Sequence, residues 1–189
     1  FISGQISIDE KGQLIKGKNI DIEKVTTSPP KVLDNGAKLI YVNYNGGRFN
    51  IQTPWMELPW DMSVYSEGPY PKYSIELSFK DIDEDPDTRE FLDKLNQLDE
   101  KLIEVGLKDS VQFFKKKITS REVIDGYYNR IVKVSRDKES GEADGKWPSS
   151  MRVKIPFRDD KFAPKLYTND VLQDVNGGDE GVKIENLLV

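Results

Sequence analysis

The tripeptide Asn45-Gly46-Gly47 stands between two runs of alternating, β-prone residues, and that arrangement leaves the chain little alternative to a β-hairpin. Before it, Leu39-Ile40-Tyr41-Val42-Asn43-Tyr44 is rich in β-branched and aromatic side chains, which suit a half-buried pleated surface. After it, Arg48-Phe49-Asn50-Ile51-Gln52-Thr53 resumes with a period of two. Asparagine and glycine tolerate the positive φ of a tight primed turn, so a hairpin is predicted over roughly residues 38–54.

Upstream, residues 1–36 alternate only weakly and run into Ser28-Pro29-Pro30, where two prolines block a helix and interrupt a ladder. This stretch is read as an N-terminal arm with two short strands, closed by a turn at Asp34-Asn35-Gly36. Downstream, Pro54 to Pro71 is a long loop holding Trp55, Met56, Trp60, Met62, Tyr65 and Tyr70. Such a loop either packs over the sheet as a lid or presents its rings to a ligand. Tyr73 to Phe79 is the next strand, with Tyr73, Ile75, Leu77 and Phe79 on one face and Ser74, Glu76 and Ser78 on the other.

Asp85 then caps a helix with Pro86 at its first position, and Phe91, Leu95, Leu98, Leu102 and Val105 form one apolar stripe. Gly106 is expected to break it. Two short helices follow, one from Asp109 or Ser110 through Phe114 and one from Thr119, which stands at capping-box spacing from Glu122. The helical segment thus covers about residues 86–128. Strands return at Arg130 to Arg136 and Met151 to Phe157, where Arg152 and Lys154 share one face and Met151, Val153 and Ile155 the other.

The chain has no cysteine and no histidine, which removes disulfides, the commonest zinc ligands and every Ser-His or Cys-His triad. No catalytic residue, metal or cofactor is expected. No stretch is apolar enough to span a membrane. The net charge of −5 conceals a strong asymmetry. Residues 81–110 hold 11 acidic and 4 basic residues, whereas residues 111–165 hold 14 basic and 8 acidic ones. Phosphate contact depends on the local field, so the basic block matters more than the total.

Within that block, cations and rings interleave: Lys115, Lys116, Lys117, Tyr128, Arg130, Lys133, Trp147, Arg152 and Lys154. Single-stranded nucleic acid is bound by such a mixture, cations tracking phosphates while exposed rings stack on bases. Arg48 of the hairpin and Trp55, Trp60 and Tyr65 of the aromatic loop complete the candidate set. The competing reading places Tyr127, Tyr128 and Trp147 in the core and leaves the lysines as solvated surface.

Leu39 to Gly47, Ile51-Gln52-Thr53-Pro54-Trp55-Met56 and Pro59-Trp60 resemble an uncharacterised-domain family of nucleocytoplasmic large DNA viruses that infect algae and amoebae. Lys72-Tyr73-Ser74-Ile75, Leu98-Asp99-Glu100-Lys101, Ser120-Arg121-Glu122-Val123, Val132-Lys133 through Lys138 and Lys154-Ile155-Pro156 continue the resemblance in the same order, over roughly residues 37–189. That family is similar, more remotely, to the single-stranded-DNA-binding protein of short-tailed coliphages. The resemblance implies a β-rich α+β fold: an OB-type five-stranded barrel over 37–189 carrying the helical insertion, with residues 1–36 as an extended arm. The family continues past this point with further strands, so the chain is expected to be truncated at its C-terminus. The implied activity is the coating of single-stranded DNA in replication or recombination, with viral replication proteins as partners. A homodimer through the arm or the C-terminal end fits the same picture. The implied location is the host nucleus or a cytoplasmic viral factory, with packaging in the virion. The alternative is a structural protein, a minor capsid or internal virion component, that keeps the fold without the groove and contacts other virion proteins.

Overall fold

Asn45 and Gly46 take up φ angles of 49° and 78°, the left-handed pair that a two-residue primed turn requires. The computed structural model describes residues 14–168 and 171–176. In it the turn joins β5 (Val42–Tyr44) to β6 (Gly47–Arg48). The hairpin is shorter than the alternation predicts. After Arg48 the strands part: Phe49 stacks its ring on Tyr44 with centroids 5.2 Å apart, and β7 (Asn50–Gln52) pairs in parallel with β1 (Leu14–Lys16). Upstream of the turn, β2 (Val25–Thr27) adds to the free edge of β5. The two prolines follow β2, and β3 (Lys31–Val32) and β4 (Lys38–Leu39) close a second hairpin around Gly36, whose φ of 80° suits glycine.

Two compact units share the chain, each discontinuous in sequence. The helical unit comprises the described residues up to Pro54 together with Ile82–Val132. Its core gathers Ile15, Ile20, Val25, Tyr44 and Leu98, with Ile51, Leu102 and Ile131 packed against them. Residues 14–36 are therefore not the expected arm, because three of the five core side chains come from them. Helix α1 (Pro86–Lys108) begins as predicted: the Asp85 carboxylate accepts the Asp87 backbone N–H at 3.0 Å and the Thr88 hydroxyl at 2.6 Å. Its buried face runs through Phe91, Leu95 and Leu98 but then turns to Asp99, Ile103 and Gly106 instead of Val105. Gly106 does not end the helix. It lies where Ile124 comes closest: an added Cβ would stand 3.2 Å from the Ile124 Cγ2. Helix α2 (Ser110–Phe114) follows directly, and α3 (Arg121–Tyr127) starts after Ser120, so the capping box expected from Thr119 is not formed.

The sheet unit comprises Trp55–Asp81 and the described residues from Lys133 onward. A four-stranded sheet dominates it, in the order β10 (Val132–Lys133), β11 (Ser150–Ile155), β9 (Lys72–Ser78), β8 (Ser63–Tyr65). The strand expected over 130–136 shrinks to β10, because an isolated bridge from Arg136 to Ala143 turns the chain back through Asp137, which accepts the Glu139 and Ser140 backbone N–H groups. Two small hairpins complete the unit, β12 (Phe157–Arg158) with β13 (Lys161–Phe162) and β14 (Leu166–Thr168) with β15 (Val171–Gln173). Tyr73, Phe157 and Phe162 form a ring cluster with centroids 4.8 to 5.0 Å apart. The protein is thus a β-rich α+β fold with several sheets and a few helices. Among the described residues no sheet closes into a barrel, and those of 37–189 are divided between the two units.

Candidate nucleic-acid interface

The ladder between β9 and β11 fixes which side chains share a face, because successive residues of a strand point to opposite sides. Met151, Val153 and Ile155 pair with Leu77, Ile75 and Tyr73, an apolar face. Ser150, Arg152 and Lys154 pair with Ser78, Glu76 and Ser74, a polar one, as the alternation predicts. On the outer edge Tyr65 pairs with Lys72 and Ser63 with Ser74, so Tyr65 and Lys72 join the polar face. The Lys72 ammonium lies 5.6 Å from the Tyr65 ring centroid, a cation–π distance. The Tyr65 hydroxyl donates to Glu67 at 3.2 Å, which holds the ring.

Glu76 is the only carboxylate on the β9 and β11 residues of this face. Burial pushes its carboxyl up, but hydrogen bonds from the Ser150 hydroxyl at 2.7 Å and Arg152 Nε at 2.8 Å outweigh that and hold it below the usual range. Glu76 is therefore ionised at neutral pH and occupies Arg152. Lys72, Lys133 and Lys154 make no ion pair among the described residues.

At the Ser78–Ser150 end lies an open groove of about 250 Å³, lined by Pro59, Trp60, Ser78, Lys133, Trp147 and Ser150 with neighbouring residues. Trp60 and Trp147 meet edge to face with centroids 6.4 Å apart, yet 62% and 59% of their surfaces stay exposed. Two tryptophans this open are not filling a core, which settles the choice between core and surface for Trp147. The aromatic loop is anchored beside them: Ser78 N–H donates to the Glu57 carbonyl at 2.9 Å, and Lys80 pairs with the Glu57 carboxylate at 2.6 Å. Trp55, at the start of that loop, is 67% exposed. Seven predicted residues (Trp55, Trp60, Tyr65, Lys133, Trp147, Arg152 and Lys154) belong to this one unit. Lys72, Glu76 and the two serines were missed, although the parity of β9 already placed Lys72 on the Ser74–Glu76 face.

The remaining predicted residues fall in the helical unit. Arg48 is exposed on β6, and Lys115, Lys116 and Lys117 are exposed after α2, with Lys115 in a left-handed conformation at φ 57°. Tyr128 and Arg130 are engaged with carboxylates of the helical unit. The Tyr128 hydroxyl donates at 2.7 Å to Asp99, a fully buried carboxylate that also accepts the Ile131 backbone N–H at 3.1 and 3.2 Å. Burial raises the Asp99 carboxyl above its ordinary value, against these hydrogen bonds and the Arg130 charge. Burial, then the bond to Asp99, pushes the Tyr128 phenol far up. Arg130 is shared between Glu100 at 2.8 Å and Asp125 at 2.6 Å, and Arg121 also pairs with Glu100. This network ties α1 to α3 and to the segment after it, and no buried side-chain polar atom among the described residues is left without a partner.

Among the described residues no group of three or more acidic side chains is placed to hold a metal ion, and no helix is long and apolar enough to cross a membrane. Compared with protein-family models, curated protein sequences and solved structures, the chain gives no match. The fold and the site therefore define a class by their own chemistry: a β-rich α+β protein with a cationic, ring-lined sheet face.

Proposed function

We propose that this chain binds single-stranded DNA without a sequence code and coats strands during the replication or recombination of a large DNA virus. The observation that carries the reading is the exposed Trp60–Trp147 pair at one end of a sheet face that also presents Lys133, Lys154, Arg152 and, at its far end, Tyr65 with Lys72. From Ser78 to Lys72 the strand advances about 20 Å, at roughly 3.3 Å per residue. That run suits the short end of the range of site sizes for such folds, on the order of 4 nucleotides. The mechanism is passive: ammonium groups replace counterions along the phosphates, and rings stack on bases at about 1–3 kcal/mol each. An OB-type barrel remains our reading of the fold. The four-stranded sheet, antiparallel across β11, β9 and β8, with α1–α3 inserted between β9 and β10, supports it.

A second reading, docking to viral replication proteins or to other virion proteins, draws on a separate feature. The rings of Phe114 and Tyr127 meet at a tilt with centroids 6.0 Å apart and stay 42% and 66% exposed, with Val111 and Val123 one turn back on α2 and α3. The test of the first reading is fluorescence anisotropy of a labelled oligo-dT across a salt series. Expected are binding that weakens with salt, quenching of tryptophan emission, and a loss of about 5- to 160-fold in affinity for Trp60→Ala, one stacked ring's worth. A folded protein that leaves the oligonucleotide free at low salt would overturn it and give the docking reading first place.

A further inference from the structure

We infer that the Trp60–Trp147 groove holds one base and favours thymine over cytosine, with Lys133 donating to the carbonyl oxygen at thymine O4, where cytosine carries an amino group. The inference rests on the reading of this face as a single-strand track and goes beyond it, since stacking and phosphate contact alone are indifferent to base identity.

The groove has apolar walls on which a planar ring can lie: Pro59, Trp60, Trp147, Pro148 and Val134. Its polar lining is Ser78, Ser135, Ser150 and Lys133, with no carboxylate among them. Three of these four already make a hydrogen bond. Ser150 gives its hydroxyl proton to Glu76. Ser135 is hydrogen-bonded to the Asp144 carboxylate, which that bond draws below its usual range. The Ser78 oxygen accepts the Lys80 backbone N–H at 3.2 Å. Lys133 is exposed and makes no ion pair among the described residues. A charged ammonium is an obligate donor, so the strongest free polar group of the groove can only give hydrogen bonds. Thymine offers an acceptor at O4 where cytosine offers the N4 amino donor. Both are pyrimidines of nearly equal size and stacking surface, so a difference between them isolates that edge.

The experiment measures affinities of the full chain for oligo-dT, oligo-dU and oligo-dC of one length at one salt concentration, for the protein and for Lys133→Met. Methionine keeps an unbranched apolar stem and loses the ammonium. The expected result is tighter binding of oligo-dT and oligo-dU than of oligo-dC by about fivefold, the factor one net hydrogen bond provides, with the preference levelled in Lys133→Met. Equal binding of dT and dC overturns the inference and leaves the coating function standing. So does a preference that persists in Lys133→Met, or one in which dU, which lacks the methyl group, behaves as dC. Failure of all three oligonucleotides to bind removes the underlying reading instead.

Discussion

Removing a carboxylate from the proposed binding face should strengthen oligonucleotide binding and steepen its salt dependence, and Glu76→Gln is the substitution that does this. Arg152 is 63% exposed, yet its guanidinium is held by Glu76 through Nε at 2.8 Å and Nη2 at 2.7 Å. On this face, among the described residues, Lys72 and Lys154 make no ion pair and remain for phosphates, while Lys133 lines the groove. For single strands each neutralised phosphate contributes about −0.7 to the slope of log K against log salt, so a slope near −1.4 is expected. Freeing Arg152 adds a third contact and brings the slope to about −2.1. With affinities converging at about 1 M salt, the same term makes Glu76→Gln bind about 8-fold tighter at 0.05 M and about 3-fold tighter at 0.2 M. The fold should tolerate the change. Glutamine keeps an acceptor for the Ser150 hydroxyl and a side-chain carbonyl that Arg152 can still reach, so the half-covered pair is not left as a buried unpaired charge. Anisotropy titrations of labelled oligo-dT at several salt concentrations, with a thermal melt of both proteins, read every quantity needed. A slope that stays near −1.4, or weaker binding by a folded variant, would refute the idea that Glu76 withholds Arg152 from the strand.

Three further outcomes concern the fold. Gly17→Ala should destabilise by about 1–3 kcal/mol in urea melts, since its Cβ would stand 2.2 Å from Cδ2 of buried Phe91; adding Phe91→Leu should recover part of the loss. Tyr128→Phe leaves buried Asp99 one hydrogen bond short, at a cost of about 1.5–3 kcal/mol at pH 7. Asp99 has a raised folded pKa, so its contribution is full below the unfolded value and is lost as pH rises through the folded one; the Tyr128→Phe penalty should accordingly shrink in melts at pH 4. Asp85 behaves oppositely. The Thr88 hydroxyl and then the Asp87 and Thr88 backbone N–H groups hold its carboxyl low, so its stabilisation is present above the unfolded value and is lost as pH falls through the folded one. Asp85→Ala should cost about 1 kcal/mol at neutral pH and less in acid, by the same melts.

What could be read in advance was whatever a few neighbouring residues decide among themselves. Asn45-Gly46 specifies its turn by backbone sterics, Asp85-Pro86 its helix start, and the parity of β9 and β11 sorts their faces. What escaped depends on partners far along the chain. The parallel pairing of β1 with β7 has no local signature, which is why residues 14–36 read as an arm. Asp99 looks like a surface residue beside Leu98 until Tyr128 and Ile131, some 30 positions on, converge on it. The candidate site was half visible. The residue types of the track were picked out, but no spacing reveals that Trp60 and Trp147 meet, or that Tyr128 and Arg130 are spent on a structural network.

The discontinuous make-up of the units has a consequence for how the protein is born. The chain passes from one unit to the other after Pro54, after Asp81 and after Val132. Glu76 and Ser150, bonded across the central sheet, lie 74 positions apart. At about 5–20 residues per second, β9 emerges from the ribosome roughly 4–15 s before β11 exists. Helix–coil relaxation takes about a microsecond or less, so α1–α3 have ample time to form in that interval. β9 meanwhile has only β8 for company and exposes its other edge, the arrangement in which strands pair with wrong partners. Expression in a slowly translating host should therefore favour aggregates seeded by residues 72–78, and supplying β11 early, by circular permutation, should relieve them.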